Sequence, residues 1–407
     1  MSNLKSAALA ACITLGLVSL AQAADLRLAA AGSNDQVVTR LATADLSKLS
    51  ATLDRVPVRT SWALDPAEAL ADRPVPFVQQ SREYWLNADE AQLRRGVSLP
   101  TTATAALIRI SPHSNNSTAL SIDDVQLRSN GQQFDGRAAT QSVAETAALR
   151  AAGMDVAEGT VVVKLAPAVG KGRIELAAPA AKGNYLIHVF EPTSSQVLRL
   201  GATRDTVLGG STVQIVAHLD GARAASAKGI LTAPDGHTQS FDLSPQRDGS
   251  WQADVTPDAA HANGPGLWEV HAFASGSADG VAVLRDAKTA IAVAVPTARL
   301  SGTVTPERLR GGALSLGVGV EVASASRYQL SGVLYGTAAD GTRKPAAYAQ
   351  SAAWVEAGRD SLVLEFDAQA LNGAGLKAPY ELRDLRLGNQ ATLSTIERRE
   401  RAVAEIR

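Results

Sequence analysis

Strict alternation of apolar with small or polar residues constrains this chain more than any other feature. Leu314, Leu316, Val318, Val320 and Val322 recur with a period of two, as do Tyr328, Leu330, Gly332 and Leu334, and then Leu362, Leu364 and Phe366. Successive side chains of a strand point to opposite faces, so the pattern describes strands with one buried face. Val213, Ile215, Ala217 and Leu219 repeat it upstream, with Gln214 and His218 between them. Asp235-Gly236, Asp248-Gly249 and Asp340-Gly341 fall between such runs, where glycine takes the positive φ of a tight turn. With 33 glycines and 17 prolines punctuating short runs, the fold class is mainly all-β.

The first residues are read separately. Lys5, the apolar stretch from Ala7 to Leu20 and the triplet Ala21-Gln22-Ala23 form a signal peptide over 1–23, with cleavage expected between Ala23 and Ala24. Leu9-Ala10-Ala11-Cys12 also reads as a lipoprotein box. Only a short apolar run precedes Cys12, however, and Ile13 to Leu20 continue it, so secretory cleavage is preferred over lipid anchoring. The protein is then secreted or periplasmic. Its sole cysteine leaves with the signal peptide, which excludes a disulfide, a thiol nucleophile and a thiolate metal site. No later run approaches the roughly 20 apolar residues of a membrane span, so no integral membrane segment is expected in the mature chain.

Residues 24–59 are polar and alanine-rich and read as a partly disordered lead-in, with a short helix around Asp35 to Leu53. Residues 60–200 predict a β-rich N-terminal domain with strands at Ala105 to Ile110, Thr160 to Leu165, Arg173 to Leu176 and Tyr185 to Phe190. Its short helical insertion takes Ser142 as N-cap, Glu145 to close a capping box and Gly153 as its stop. Residues 201–296 predict an immunoglobulin-like β-sandwich with Trp251 and Trp268 as core aromatics. Residues 297–407 predict a second β-sandwich. There, the apolar parity of PYELRDLRL switches between Leu382 and Leu385, which calls for a bulge near Arg383-Asp384. Ser394 to Ile406 spaces its apolar residues as a terminal helix would.

Function is less constrained. The formal net charge is −1, or −2 without Lys5, and the charges are scattered, so neither nucleic acid nor an anionic membrane surface is an expected partner. A monomer that binds a glycan or a protein surface is the leading reading. No His-Glu-x-x-His, Gly-x-Ser-x-Gly or Gly-rich phosphate loop occurs, and no catalytic residue is assigned. The alternative is a hydrolase acting on glycan or peptide, with two carboxylates of the N-terminal domain facing each other across a cleft.

The six histidines are dispersed, whereas zinc needs three or four converging ligands. His218 and His271, with Glu269 beside the latter, fall on the solvent face of their strands and read as ordinary exposed histidines. Asp123, Asp124 and Asp135, in SIDDVQLRSNGQQFDG, are the candidate calcium ligands, set against a plain turn reading; no other cofactor is implied. SREYWL concentrates rare residue types in a chain that is 4% aromatic. As a strand it places Arg82 and Tyr84 on one face and Glu83 and Trp85 on the other. Arg82, Tyr84 and Trp85 are the candidate ligand-binding residues, with one aromatic buried and the other free to stack on a sugar ring or a partner surface.

SREYW followed by GVSLPTTATAALIRISP, then GNYLIHVFEPTSSQVLRL, and APYELRDLRLGNQ near the C-terminus resemble the secreted proteobacterial proteins of the domain-of-unknown-function 4785 family. The resemblance implies an exoprotein with an N-terminal β-rich domain followed by tandem immunoglobulin-like domains. It implies no established catalytic residues.

Overall fold

The computed structural model describes residues 25–71, 75–113, 116–262 and 264–407. The signal peptide, its Ala23/Ala24 boundary and Cys12 lie outside the described residues. The alternating runs become strands of three two-sheet sandwiches, and the all-β expectation holds.

In the first sandwich, Glu83–Asp89, Asn184–Phe190, Leu107–Pro112, Val161–Leu165 and Thr140–Glu145 lie side by side. They pack on a sheet of Val97–Thr101, Gly172–Ala177, Gln126–Ser129 and Gln132–Asp135, with Tyr84, Ile108, Ile110, Leu127, Ile174 and Ile187 between. In the second, Thr238–Asp242, Arg223–Thr232, Trp268–Ala278 and Val281–Ala294 face Ser244–Pro245, Trp251–Val255, Val213–Asp220, Val197–Ala202 and Val78–Ser81. Trp268 is buried in that core and Trp251 packs half-buried against it. The third sets Leu26–Arg27, Ala298–Arg308, Leu314–Val322 and Gly358–Phe366 against Val58–Ala63, Arg343–Val355, Ser326–Thr337, Lys377–Asn389 and Ser394–Ile406, around Tyr328 and Phe366. Each fully buried Leu, Ile or Val in these cores stabilises the fold by roughly 1.5–3 kcal/mol relative to exposure.

The three Asp-Gly turns share one device. Gly236, Gly249 and Gly341 have φ near +80° to +90°, and each preceding aspartate accepts a hydrogen bond from the backbone N–H two residues on, at His237, Ser250 or Thr342. The expected bulge is also present: Asp384 has φ of 45°, and the ladder shifts register between Leu382 and Arg383.

Several local expectations are corrected. Ser394–Ile406 is a strand, paired along Lys377–Asn389. Register shifts in that pairing move its apolar residues between parities, so Ile396, Val403 and Ile406 mimic a helical period. The helical insertion starts later than expected, at Thr146–Ala151, because Ser142 is still paired in the strand Thr140–Glu145; Glu145 occupies the N-cap position without a capping side-chain bond. Residues 24–59 are not a loose lead-in over their described part, and the helix expected there shrinks to Ser47–Ser50. Leu26–Arg27 pairs with Ala298–Arg308, and Gln36 exchanges backbone hydrogen bonds with Arg398. Ala42 donates to the Pro296 carbonyl, and Val38 is buried in the third core. Val58–Ala63, which spans the expected start of the first domain at residue 60, is instead an edge strand of the third sandwich. Val197–Ala202 pairs across the expected boundary at residue 200, with both Val78–Ser81 and Val213–Asp220.

The first and second sandwiches share one long sheet. They are joined through a single ladder pair, Asp286 opposite Glu83, where Val281–Ala294 meets Glu83–Asp89. Next to it, Arg285 enters the junction and pairs with Glu191 at 2.7 Å, both side chains 0% exposed. Its remaining donors reach the Gln196 and Leu284 carbonyls and the hydroxyls of Thr102 and Ser194, while Glu191 also accepts from the Thr102 and Ala103 N–H groups. Breaking one side of a buried pair leaves an uncompensated charge. Glu191→Ala is therefore expected to cost about 3–5 kcal/mol in urea unfolding, with much of the loss recovered by Glu191→Leu combined with Arg285→Met. A loss below about 1 kcal/mol in the single variant would show that the pair does not hold the junction.

Candidate functional site

The parity of Glu83–Asp89 separates its two aromatics. Tyr84 is 2% exposed, its hydroxyl donates to the Pro100 carbonyl at 3.0 Å, and burial pushes its pKa far above the usual tyrosine value. Arg82 donates from Nε to the Ser194 carbonyl at 2.9 Å. Both serve packing. Trp85 faces the other way and is half-buried on the outer face of the long sheet.

Strand register builds the surroundings of Trp85. His188 lies directly opposite Trp85 on one side and Arg109 on the other, so the three form a row across three strands. The Trp85 and His188 rings stack with centroids 4.0 Å apart, and the Arg109 guanidinium sits 4.6 Å from the Trp85 ring centroid. Such cation–ring contacts add roughly 0.5–2 kcal/mol and, with the stack, hold the indole in one orientation. Glu83 completes the row by pairing with His188 Nε2 at 2.9 Å. That hydrogen bond holds the Glu83 carboxyl below the usual glutamate range against the opposing effect of burial, helped by the positive fields of His188, Arg109 and His271.

Beside this row the sheet junction opens a cleft of about 460 Å³, lined by Gln79, Ser81, Glu83, Trp85, Leu186, His271, Asp286 and Lys288 among others. Asp286 is 3% exposed. Its Oδ2 accepts from the Trp85 backbone N–H at 2.8 Å, and its Oδ1 lies 3.4 Å from His271 Nε2 without hydrogen-bond alignment. His271 Nε2 is consequently buried with no hydrogen-bond partner, a state that native proteins rarely leave without a ligand, water or ion to satisfy it. His271 thus lies on the outer face its strand parity predicts, but is half-buried there against Asp286 and Phe273.

Two larger concavities carry less of this character. One, of about 540 Å³, is lined by Arg204, Arg386 and Arg398, but Arg386 and Arg398 both pair with Asp384, and Arg204 donates to the Ser33 and Asp35 carbonyls. The other, of about 630 Å³, is lined mainly by serine, threonine and glycine on the third sandwich and edged by Glu321 and Arg359.

The three candidate calcium ligands are engaged locally. Asp123 forms a bidentate pair with Arg137, Asp124 accepts from the Ser121 N–H, and Asp135 accepts from the Ala138 N–H. Among the described residues, the group of three His, Asp or Glu ligands whose donor atoms converge is His237, Asp258 and His261. Sequence reasoning placed Trp85 in the site and missed Asp286 and His271. The available signal was Arg285-Asp286, two adjacent charges that, with Lys288, interrupt the apolar alternation of VAVLRDAKTAIAVA. It also missed an aromatic pair on the third sandwich, where exposed Trp62 lies 4.6 Å from Tyr348 between ring centroids.

Comparisons with known proteins agree with this architecture. Residues 49–191 match the model for the domain of unknown function (DUF4785) N-terminal domain, and residues 297–407 match the DUF4785 C-terminal domain. The crystal structure of a DUF4785 family protein from Legionella pneumophila is similar with a TM-score of 0.72 at 20% identity, over 91% of this chain and 98% of that one. This likeness establishes the fold. Trypsin-activated α-2-macroglobulin from Escherichia coli (14% identity, TM-score 0.19, 74% of this chain and 22% of that one) also matches. So does a Salmonella α-2-macroglobulin mutant (14% identity, TM-score 0.26, 73% and 20%). No curated protein matches the chain. Among the described residues, no helix is long and apolar enough to cross a membrane.

The Glu83–His188 pair has a pH signature. A carboxyl whose folded pKa is depressed contributes stability that is present above its unfolded value and lost as pH falls through the folded one. Between about pH 5 and pH 3 the melting temperature of the native chain should fall more steeply than that of Glu83→Gln. Parallel acid limbs in the two proteins would refute the pairing.

Proposed function

The chain belongs to the DUF4785 family, and from that premise we propose that it is a secreted or periplasmic binding protein whose Trp85 cleft takes a glycan. The pattern over 1–23 supports export. The cleft supports the ligand class. A sugar ring presents an apolar C–H face and a rim of hydroxyls, and sites that take such ligands combine an oriented aromatic with a few polar groups. Trp85 provides the first, and Gln79, Ser81, Asp286 and Lys288 the second. The observation that carries the reading is Trp85, an aromatic held in one orientation at the edge of a cleft whose walls also present Gln79, Ser81, His271 and Lys288.

The hydrolase reading would use Glu83 and Asp286 as its carboxylates. A general acid needs a raised pKa, and Glu83 is shifted the other way by His188. Glu83 could therefore serve in such a pair only as base or nucleophile, and the oriented aromatic of the cleft supports binding as the first reading.

Screening the full chain on a glycan array, followed by calorimetry on the best ligand, tests the proposal. Trp85→Ala and His271→Phe should each weaken that ligand at least about tenfold, equivalent to about 1.4 kcal/mol, while near-ultraviolet circular dichroism reports an intact fold. Glycan affinity unchanged in both variants, or no glycan bound at all, would overturn it. Release of reducing ends from a bound glycan would instead establish the hydrolase.

A further inference from the structure

We propose that His237, His261 and Asp258 form a binding site for one divalent transition-metal ion of the zinc class, clipping together two turns at one end of the second sandwich. His237 ends the Asp-Gly turn between Arg223–Thr232 and Thr238–Asp242. Asp258 caps the short turn Ala259–His261 on the connection from Trp251–Val255 to Trp268–Ala278. The two turns are over twenty residues apart in sequence, yet the His237 and His261 rings stack 3.7 Å apart and within 3° of parallel. One ligand atom from each of the three side chains lies within 4.8 Å of the others.

The groups behind these ligands are arranged as metal sites require. Asp235 Oδ2 lies 2.7 Å from His261 Nδ1, and Asp235 Oδ1 accepts from the His237 backbone N–H at 3.0 Å. A carboxylate against Nδ1 favours the tautomer with Nδ1–H toward Asp235, which would leave Nε2 as the metal-binding nitrogen of His261. Asp258 accepts from the Ala260 N–H through Oδ1, which steadies the carboxylate and leaves it a second oxygen.

Two imidazoles and one carboxylate are a zinc donor set, with water in the fourth position, and such nitrogen-rich sites select zinc, copper or nickel over calcium and magnesium. Tetrahedral coordination at roughly 2.0–2.1 Å puts ligand atoms about 3.3 Å apart. The exposed His237 and Asp258 reach that spacing by side-chain rotation, since both sit on surface turns. The Asp235–His261 pair and the stacked rings already hold the two turns together, and a bound metal would add to that link in a chain whose one cysteine is Cys12.

Zinc titration of the tag-free full chain, after treatment with a chelator, tests the proposal by calorimetry, with cobalt substitution as an optical readout of nitrogen coordination. The expected result is one saturable site per chain. Asp235→Asn should weaken it by roughly 10–100-fold, and His237→Ala and His261→Ala should each weaken it more than that. His218→Ala, outside the cluster, should bind as the native chain does. Circular dichroism in the chelator confirms that the variants remain folded. Absence of a saturable site, or equal affinity in native chain, His237→Ala and His261→Ala, would overturn the assignment.

Discussion

Arg285 and Asp286 are consecutive residues of one strand, and the placement of the first sandwich against the second depends on them. Their side chains leave opposite faces of the sheet. Arg285 is enclosed with Glu191, Thr102, Ser194 and two carbonyls, while Asp286 accepts the Trp85 N–H on the cleft side. Burying a guanidinium and a carboxylate costs several kcal/mol each unless their hydrogen-bonding capacity is filled. A slip of one residue would turn both side chains to the wrong faces. The buried polar groups thereby reinforce the register that the buried apolar face of the same strand, Val283, Ala287 and Ile291, also demands.

The cleft is a product of that junction. The long sheet passes from one sandwich to the other through the single pair Asp286 and Glu83, so its strands diverge on either side and leave a concavity. Its walls come from three separated stretches: Gln79 to Trp85, Leu186 and His271 to Lys288. Trp85 is held at its edge by His188 and Arg109, whose own positions follow from the ladder. The segment from Asp25 to Ala63 braces the other end of the molecule. It adds an edge strand to each sheet of the third sandwich and receives two hydrogen bonds from Arg204 of the second. Chain order and spatial order differ, because the first described residues belong to the last sandwich.

What was legible in the sequence was local. Leu314 to Val322 announced a strand because the period of two is a property of neighbouring residues, and Asp235-Gly236 announced a turn because aspartate and glycine meet its demands within three residues. The opposite faces of Tyr84 and Trp85 followed from the same parity. Where bulges broke the period, as in Ser394–Ile406, the same reasoning produced a helix that does not exist. Arg82 and Tyr84 looked like site residues because they are rare types close together, and both are committed to packing and backbone hydrogen bonds.

By itself, then, the amino-acid order determined that this is an all-β chain of alternating strands with tight Asp-Gly turns, and that Tyr84 and Trp85 part company across a sheet. Only the tertiary structure decided that Trp85 would share a cleft with His271 and Asp286, that Arg285 would find Glu191, and that His237 would lie on His261. Secondary structure reports interactions over a few residues. These encounters join positions tens to hundreds of residues apart, and they are set by strand pairing and by the cost of leaving a buried charge unmatched.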